Sequence, residues 1–272
     1  MTRKAVALLL FVALCAASAS TSNPQAHHKP PKPASTSQQE FNPPCANPSF
    51  PSPTATSIDS LCGLDGIGVE KTQNEAKNNF CASGNPEVMK INQFTALQKQ
   101  AASTKGVTFG EKTPTLNRAP LQSLGEGKLV TFQGYVLNAR QEEAETVNCG
   151  KPPQTQVPNT PSNHDIHISL GESKGDSECS GIVAEMIPHH RPTAWSADNV
   201  LKVKNASLPV HVTGQLMFDS SHVPCQGSSP VGKNPARVSL WEVHPIYKFE
   251  VCTSGCQGAG QWESLEQWLQ TH

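Results

Sequence analysis

The run His164-Asp165-Ile166-His167-Ile168-Ser169-Leu170 (HDIHISL) alternates with a period of two. His164, Ile166, Ile168 and Leu170 fall on one face, and Asp165, His167 and Ser169 on the other, the pattern of a strand with one face buried. Upstream, Lys128 to Ala139 (KLVTFQGYVLNA) reads as a strand with a bulge or bend at Gly134, followed by a Pro/Asn/Thr-rich loop from about Gln141 to Asn163. Downstream come a strand over Gly181 to Pro188 (GIVAEMIP) and a helix over Thr193 to Val203 containing Trp195, Val200 and Leu201. Two more strands follow, Pro209 to Phe218 (PVHVTGQLMF) and Arg237 to Cys252 (RVSLWEVHPIYKFEVC). The order strand, strand, strand, helix, strand, strand is that of the five-stranded oligonucleotide/oligosaccharide-binding (OB) barrel. Gly134 fits that order, because so small a barrel needs a sharply bent first strand. The expected fold is therefore mainly β, an OB-like β-β-β-α-β-β barrel over residues 106–255.

A small disulfide-linked helical segment is expected ahead of it, over 58–104. Glu70 to Phe80 (EKTQNEAKNNF) is polar with good helix formers and is closed by Cys81. A second helix is expected to start at Pro86 after an Asn85 cap, with Val88, Ile91, Phe94, Leu97 and Ala101 as a core stripe. In the tail, 256–272, Gln261 to Leu269 reads as a helix packing Trp262, Leu265, Trp268 and Leu269 on the barrel.

The first residues argue for export. Arg3 and Lys4 precede the apolar run Ala5 to Ala13, and Ala17-Ser18-Ala19 suits signal peptidase, so residues 1–19 are expected to be cleaved near Ala19. No second long apolar stretch predicts a transmembrane anchor. Residues 20–57 are rich in Pro, Ser, Thr, Gln and Asn and read as a disordered linker, with His27 and His28 solvated. The chain carries a formal charge of -1, which becomes -3 without Arg3 and Lys4. That disfavours a broad nucleic-acid surface. Besides Cys15, the cysteines are Cys45, Cys62, Cys81, Cys149, Cys179, Cys225, Cys252 and Cys256. An even set in an exported chain reads as disulfides. Cys62 with Cys81 is the best single pairing, and Cys252 and Cys256 either pair together or have separate partners. No CxxC pair supports a cysteine zinc site.

Asp165, His167, Glu185, Glu242 and His244 are the candidate site. D-x-H and E-x-H on strands put both members on one face, as shared metal coordination requires. In an OB barrel the strand bearing Glu185 lies between the other two, so the five can meet, although one residue of slip would turn Glu185 away. Three readings stand: hydrogen-bonded structural pairs, a divalent metal site such as zinc, and an acid–base pair. Asp219 and His222 form a secondary pair expected to shape the loop, with Asp219 capping the turn near Arg237 and thus about 17 to 24 Å from Glu242 and His244 along the last hairpin. His189, His190 and Arg191 read as a solvated turn. No GxSxG, HExxH or P-loop pattern occurs.

The runs HDIHISL, GIVAEMIP, VTGQLMFDSSH and SLWEVHPIYKFEV resemble a family of uncharacterised exported bacterial proteins. Those proteins share D-x-H-x-x-L, E-x-x-P, G-x-L-x-x-D-x-x-H and L-W-E-x-H-P. The likeness spans roughly 58–255 and implies a secreted or periplasmic bacterial setting, with no assigned activity. Function is then expected to be one of two kinds. The first is an OB-like module binding an envelope glycan, peptide or protein through the loops near 141–163 and 219–236. The second is a metal-dependent hydrolase with Asp165, His167, Glu185 and His244 as ligands or general base.

Overall fold

The computed structural model describes residues 66, 67, 70–110, 115, 117–148, 163–231, 235–256 and 260–272. The expected leader, the linker, Cys45, Cys62, Cys149 and the Cys62–Cys81 pairing lie outside them.

In chain order the elements are α1 (Lys71–Lys77), β1 (Glu87–Met89), α2 (Ile91–Ser103), α3 (Ala119–Leu124), β2 (Leu129–Gln141), β3 (Ile166–Gly171), β4 (Ile182–Met186), α4 (Ala197–Ala206), β5 (Pro209–Phe218), β6 (Trp241–Ser254), β7 (Gln261–Ser264) and α5 (Leu265–Trp268). Strands β2-β3-β4-β6-β5 close into a five-stranded barrel through a β2–β5 pairing. All neighbours are antiparallel except β4 and β6, which meet in parallel at Ala184 and Val243. This order, with α4 between the third and fourth barrel strands, is compatible with the OB-like fold expected.

Gly134 is where β2 changes partner. Residues Leu129 to Tyr135 pair with β5, and Tyr135 to Gln141 with β3. A Cβ at Gly134 would lie 2.1 Å from the Gly171 carbonyl oxygen, so no larger residue fits the bend. The barrel interior follows from the period of two. Ile166, Ile168 and Leu170 of β3, Ile182, Ala184 and Met186 of β4, and Trp241 and Val243 of β6 all join one apolar core. α4 closes that core with Val200 and Val203. Ser196 caps it by accepting from the Asn199 N–H at 3.2 Å. α2 adds Phe94, whose ring meets Phe132 edge-on at 6.2 Å.

Several expected boundaries move. Pro86 does not open a helix: Glu87–Met89 is a strand parallel to β2, and Val88 is 57% exposed rather than in the core stripe. The helix starts after Lys90, whose N–H donates to Gln93 Oε1 at 2.8 Å. The helix expected from Thr193 begins at Ala197, after the Ser196 cap. The last long strand begins at Trp241, not Arg237. Gln261–Ser264 adds to the sheet beside β6, and helix follows only from Leu265, where Ser264 and Gln267 form a capping box. Trp262 therefore stacks on His211, at 3.4 Å between ring centroids, while Leu265 and Trp268 enter the core.

Disulfides join Cys179 to Cys225 and Cys252 to Cys256. Cys81 is disulfide-bonded too, and its partner lies outside the described residues, since the other described cysteines pair among themselves. These crosslinks suit an oxidising, extracytoplasmic compartment. Among the described residues no helix is long and apolar enough to cross a membrane.

Candidate functional site: a buried polar layer on the barrel wall

The residues that alternate with the core point to the outer face of β3, β4 and β6. His167 lies directly opposite Glu185, and Ala184 opposite Val243, so Glu185 and His244 stand side by side. That wall is covered. After β2 the chain runs along the strand edge, with the Glu142 N–H donating to the Asp165 carbonyl at 2.9 Å, and returns as a short 3-10 turn over Thr146–Asn148. α1 packs against that turn. Asp165, Glu185, Asp219, Glu242 and His244 have no exposed surface, and His167 almost none.

Asp165, His167, Glu185, Glu242 and His244 are thus brought together. His167 Nε2 lies 3.0 Å from Glu185 Oε1, and His244 Nδ1 2.8 Å from Glu185 Oε2. His244 Nδ1 also meets Glu242 Oε1 at 3.2 Å. Asp165 Oδ1 accepts from Asn148 Nδ2 at 2.8 Å. Asp165, Glu185 and His244 each offer a ligand atom within 4.8 Å of the others.

Asp219 and His222 need a correction. The Asp219 N–H donates to the Leu240 carbonyl at 2.8 Å, and Met217 pairs with Glu242. Asp219 therefore adjoins the cluster, and Arg237 Nη1 joins it to Glu242, at 3.2 Å from Asp219 Oδ2 and 2.6 Å from Glu242 Oε2. The expected separation assumed that strand pairing began at Arg237. Arg237 instead folds back from the connection, and β6 begins four residues on, at Trp241. His222 pairs with Asp219, whose Oδ1 also accepts the Ser221 N–H at 3.1 Å, as in an Asx turn. His189 and His190 are not solvated either. They sit in a buried 3-10 turn, with His190 edge-on to Phe80 and Trp195.

Sequence reading missed the groups that come from outside the barrel, Lys77, Glu142 and Glu145, and it placed Arg237 near Asp219, as found, but not against Glu242. Lys77 Nζ lies 2.9 Å from Glu145 and 3.9 Å from Glu185, and His167 Nδ1 lies 3.2 Å from Glu142. The available signal was negative: α1 (KTQNEAK) has no apolar stripe, so it has no reason to be buried except its charges.

Carboxylates dominate. Glu142, Glu145, Asp165, Glu185, Asp219 and Glu242 face the permanent cations Lys77 and Arg237, with Arg191 near Asp165. The protons respond accordingly. Burial, then the charges of Glu145 and Glu185, push the Asp165 carboxyl up to about 6. Burial opposes charge on His244, yet the Glu185 carboxylate and hydrogen bonds to Glu185 and Glu242 raise it to about 9. Burial likewise works against charge on Glu185, but His167, His244 and Lys77 hold it well below the usual carboxylate range.

Charge balance does not satisfy geometry. Among the described residues, Asp165 Oδ2 and His244 Nε2 are buried with no hydrogen-bond partner, while the Glu185 oxygens and the His167 ring nitrogens face one another and their neighbours only as ion pairs. Buried polar atoms are normally paired with protein, water or ions. The donor set fits a divalent cation that accepts carboxylate and imidazole together. His244 Nδ1 faces both Glu185, at 2.8 Å, and Glu242, at 3.2 Å, so Nε2 is the nitrogen on the other side of the ring, and a carboxylate behind one ring nitrogen is how metal-bound histidines are commonly oriented. Comparison with protein-family models, curated proteins and solved structures finds no match.

Proposed function

We propose that this is an exported, secreted or periplasmic bacterial protein whose OB-like barrel carries a divalent-cation site on its outer wall, with Asp165, Glu185 and His244 as ligands. Its carrying observation is the convergence of those side chains within 4.8 Å, with Asp165 Oδ2 and His244 Nε2 buried and unpartnered among the described residues. His167 and Glu242 orient Glu185 and His244 from behind. A mixed carboxylate–imidazole set favours zinc or manganese over the all-oxygen surroundings preferred by calcium. A cation held there would supply Lewis acidity to a bound water. The resemblance to exported proteins supports the same reading: its D-x-H, E-x-x-P, D-x-x-H and W-E-x-H-P runs all lend polar residues to this one cluster.

Calorimetric titration of metal-stripped protein with Zn²⁺ and Mn²⁺ tests it. The expected outcome is one ion per chain, with affinity at least about 100-fold weaker for Asp165→Asn and His244→Ala, both still folded by circular dichroism. Wild-type protein that stays folded and takes up neither ion sinks the proposal.

A second reading, ligand binding without chemistry, draws on a groove of about 460 Å³ bordered by Lys90, Gln133, Tyr135, Glu172 and Lys174. It predicts that an envelope glycan or peptide retained by the protein is lost on Tyr135→Ala and kept on His244→Ala.

A further inference from the structure

α1 is an unusual cover. Its buried side chains are Gln73, Asn74 and Lys77, followed by Asn78 at the cap, and none is apolar. The contacts that fix these buried side chains are polar. Gln73 Nε2 donates to Ser221 Oγ at 2.5 Å, Thr146 Oγ1 to Asn74 Oδ1 at 3.3 Å, and Gln215 Nε2 to the Ala76 carbonyl at 2.7 Å. Water can replace each of these at little net cost, and no large apolar side chain of Thr72–Lys77 would have to leave the core when the helix lifts. The chain just beyond it is fastened differently. Phe80 stacks on Tyr247 at 5.6 Å, the Tyr247 hydroxyl donates to the Asn79 carbonyl at 2.7 Å, and Cys81 is disulfide-bonded. A loosely held helix thus ends at a firm anchor.

Lys77 is the charge this helix delivers. A lysine is buried only when paired, and its ammonium sits among Glu145 and Glu185. Glu185 is also one of the proposed metal ligands. One carboxylate cannot serve the ammonium and a divalent ion equally, because the two cations repel at short range in a setting of low dielectric.

We propose that Lys77 is the resident counterion of the barrel-wall site and that α1 is its lid: a divalent cation entering between Asp165, Glu185 and His244 displaces the ammonium and frees the helix. This rests on the cation-site reading and adds its regulation. Removing the lysine charge therefore strengthens metal binding, and metal loosens α1.

The full-length protein is titrated with Zn²⁺ as wild type and as Lys77→Met, and amide hydrogen exchange over residues 71–78 is followed in the wild type with and without the metal. The expected results are Zn²⁺ affinity at least about tenfold tighter for Lys77→Met and faster exchange of the α1 amides once Zn²⁺ is bound. Equal affinities, or slower α1 exchange with metal, overturn the lid while leaving the cation site standing. Failure of both proteins to bind Zn²⁺ removes the site and the lid together. If Lys77→Met does not fold, the direction of the wild-type exchange change decides the lid alone.

Discussion

α4 and α1 both pack on the barrel, and they do opposite things. α4 presents Val200 and Val203 to the core under a well-formed Ser196 cap. α1 buries Gln73 against Ser220 and Ser221, Asn74 against Thr146, and Lys77 among the carboxylates of Glu145 and Glu185. Apolar burial is favourable wherever it occurs, so α4 and α2 hold the barrel together. A polar interface returns little net free energy, because water would satisfy the same groups. The barrel therefore has a side built for stability and a side built around charge.

The largest expected effect belongs to the apolar side. Phe94→Ala empties a fully buried position against Phe132 and should lower the unfolding free energy by about 3–5 kcal/mol in denaturant titrations. Next comes the turn between the two sides. Burial depresses His190 from 6.5 to about 4, so between those values the unfolded chain binds a proton that the folded chain refuses. Stability should fall as pH drops through that window, by about 3 kcal/mol from this residue. His190→Phe, flanked by Phe80 and Trp195, should remove that part of the slope; an unchanged slope would show that burial does not govern this histidine. The smallest effect is Ser196→Ala, which loses the α4 cap and should cost about 1 kcal/mol by the same denaturant measurement.

Strand alternation makes the barrel legible in the sequence. Ile166, Ile168 and Leu170 had to face inward together, which turned Asp165 and His167 outward together. The same logic placed Glu242 beside His244. Two kinds of information were missing. One was pairing register across long connections: nothing in the residues from Ser220 to Leu240 announces that Arg237 folds back to bridge Asp219 and Glu242. The other was long-range cover. Lys77 and Glu145 reach the wall from segments whose local patterns are only polar, and polar patterns ordinarily mean solvent. His190 failed for that reason as well, since a Pro-flanked polar turn reads as exposed until Phe80 and Trp195 close around it.

The cation site is tested most directly by anomalous diffraction from crystals equilibrated with Zn²⁺. The account predicts one strong peak about 2.0–2.2 Å from atoms of Asp165, Glu185 and His244, with Lys77 withdrawn from Glu185. A map with Asp165, Glu185 and His244 well ordered and no anomalous density among them would contradict it.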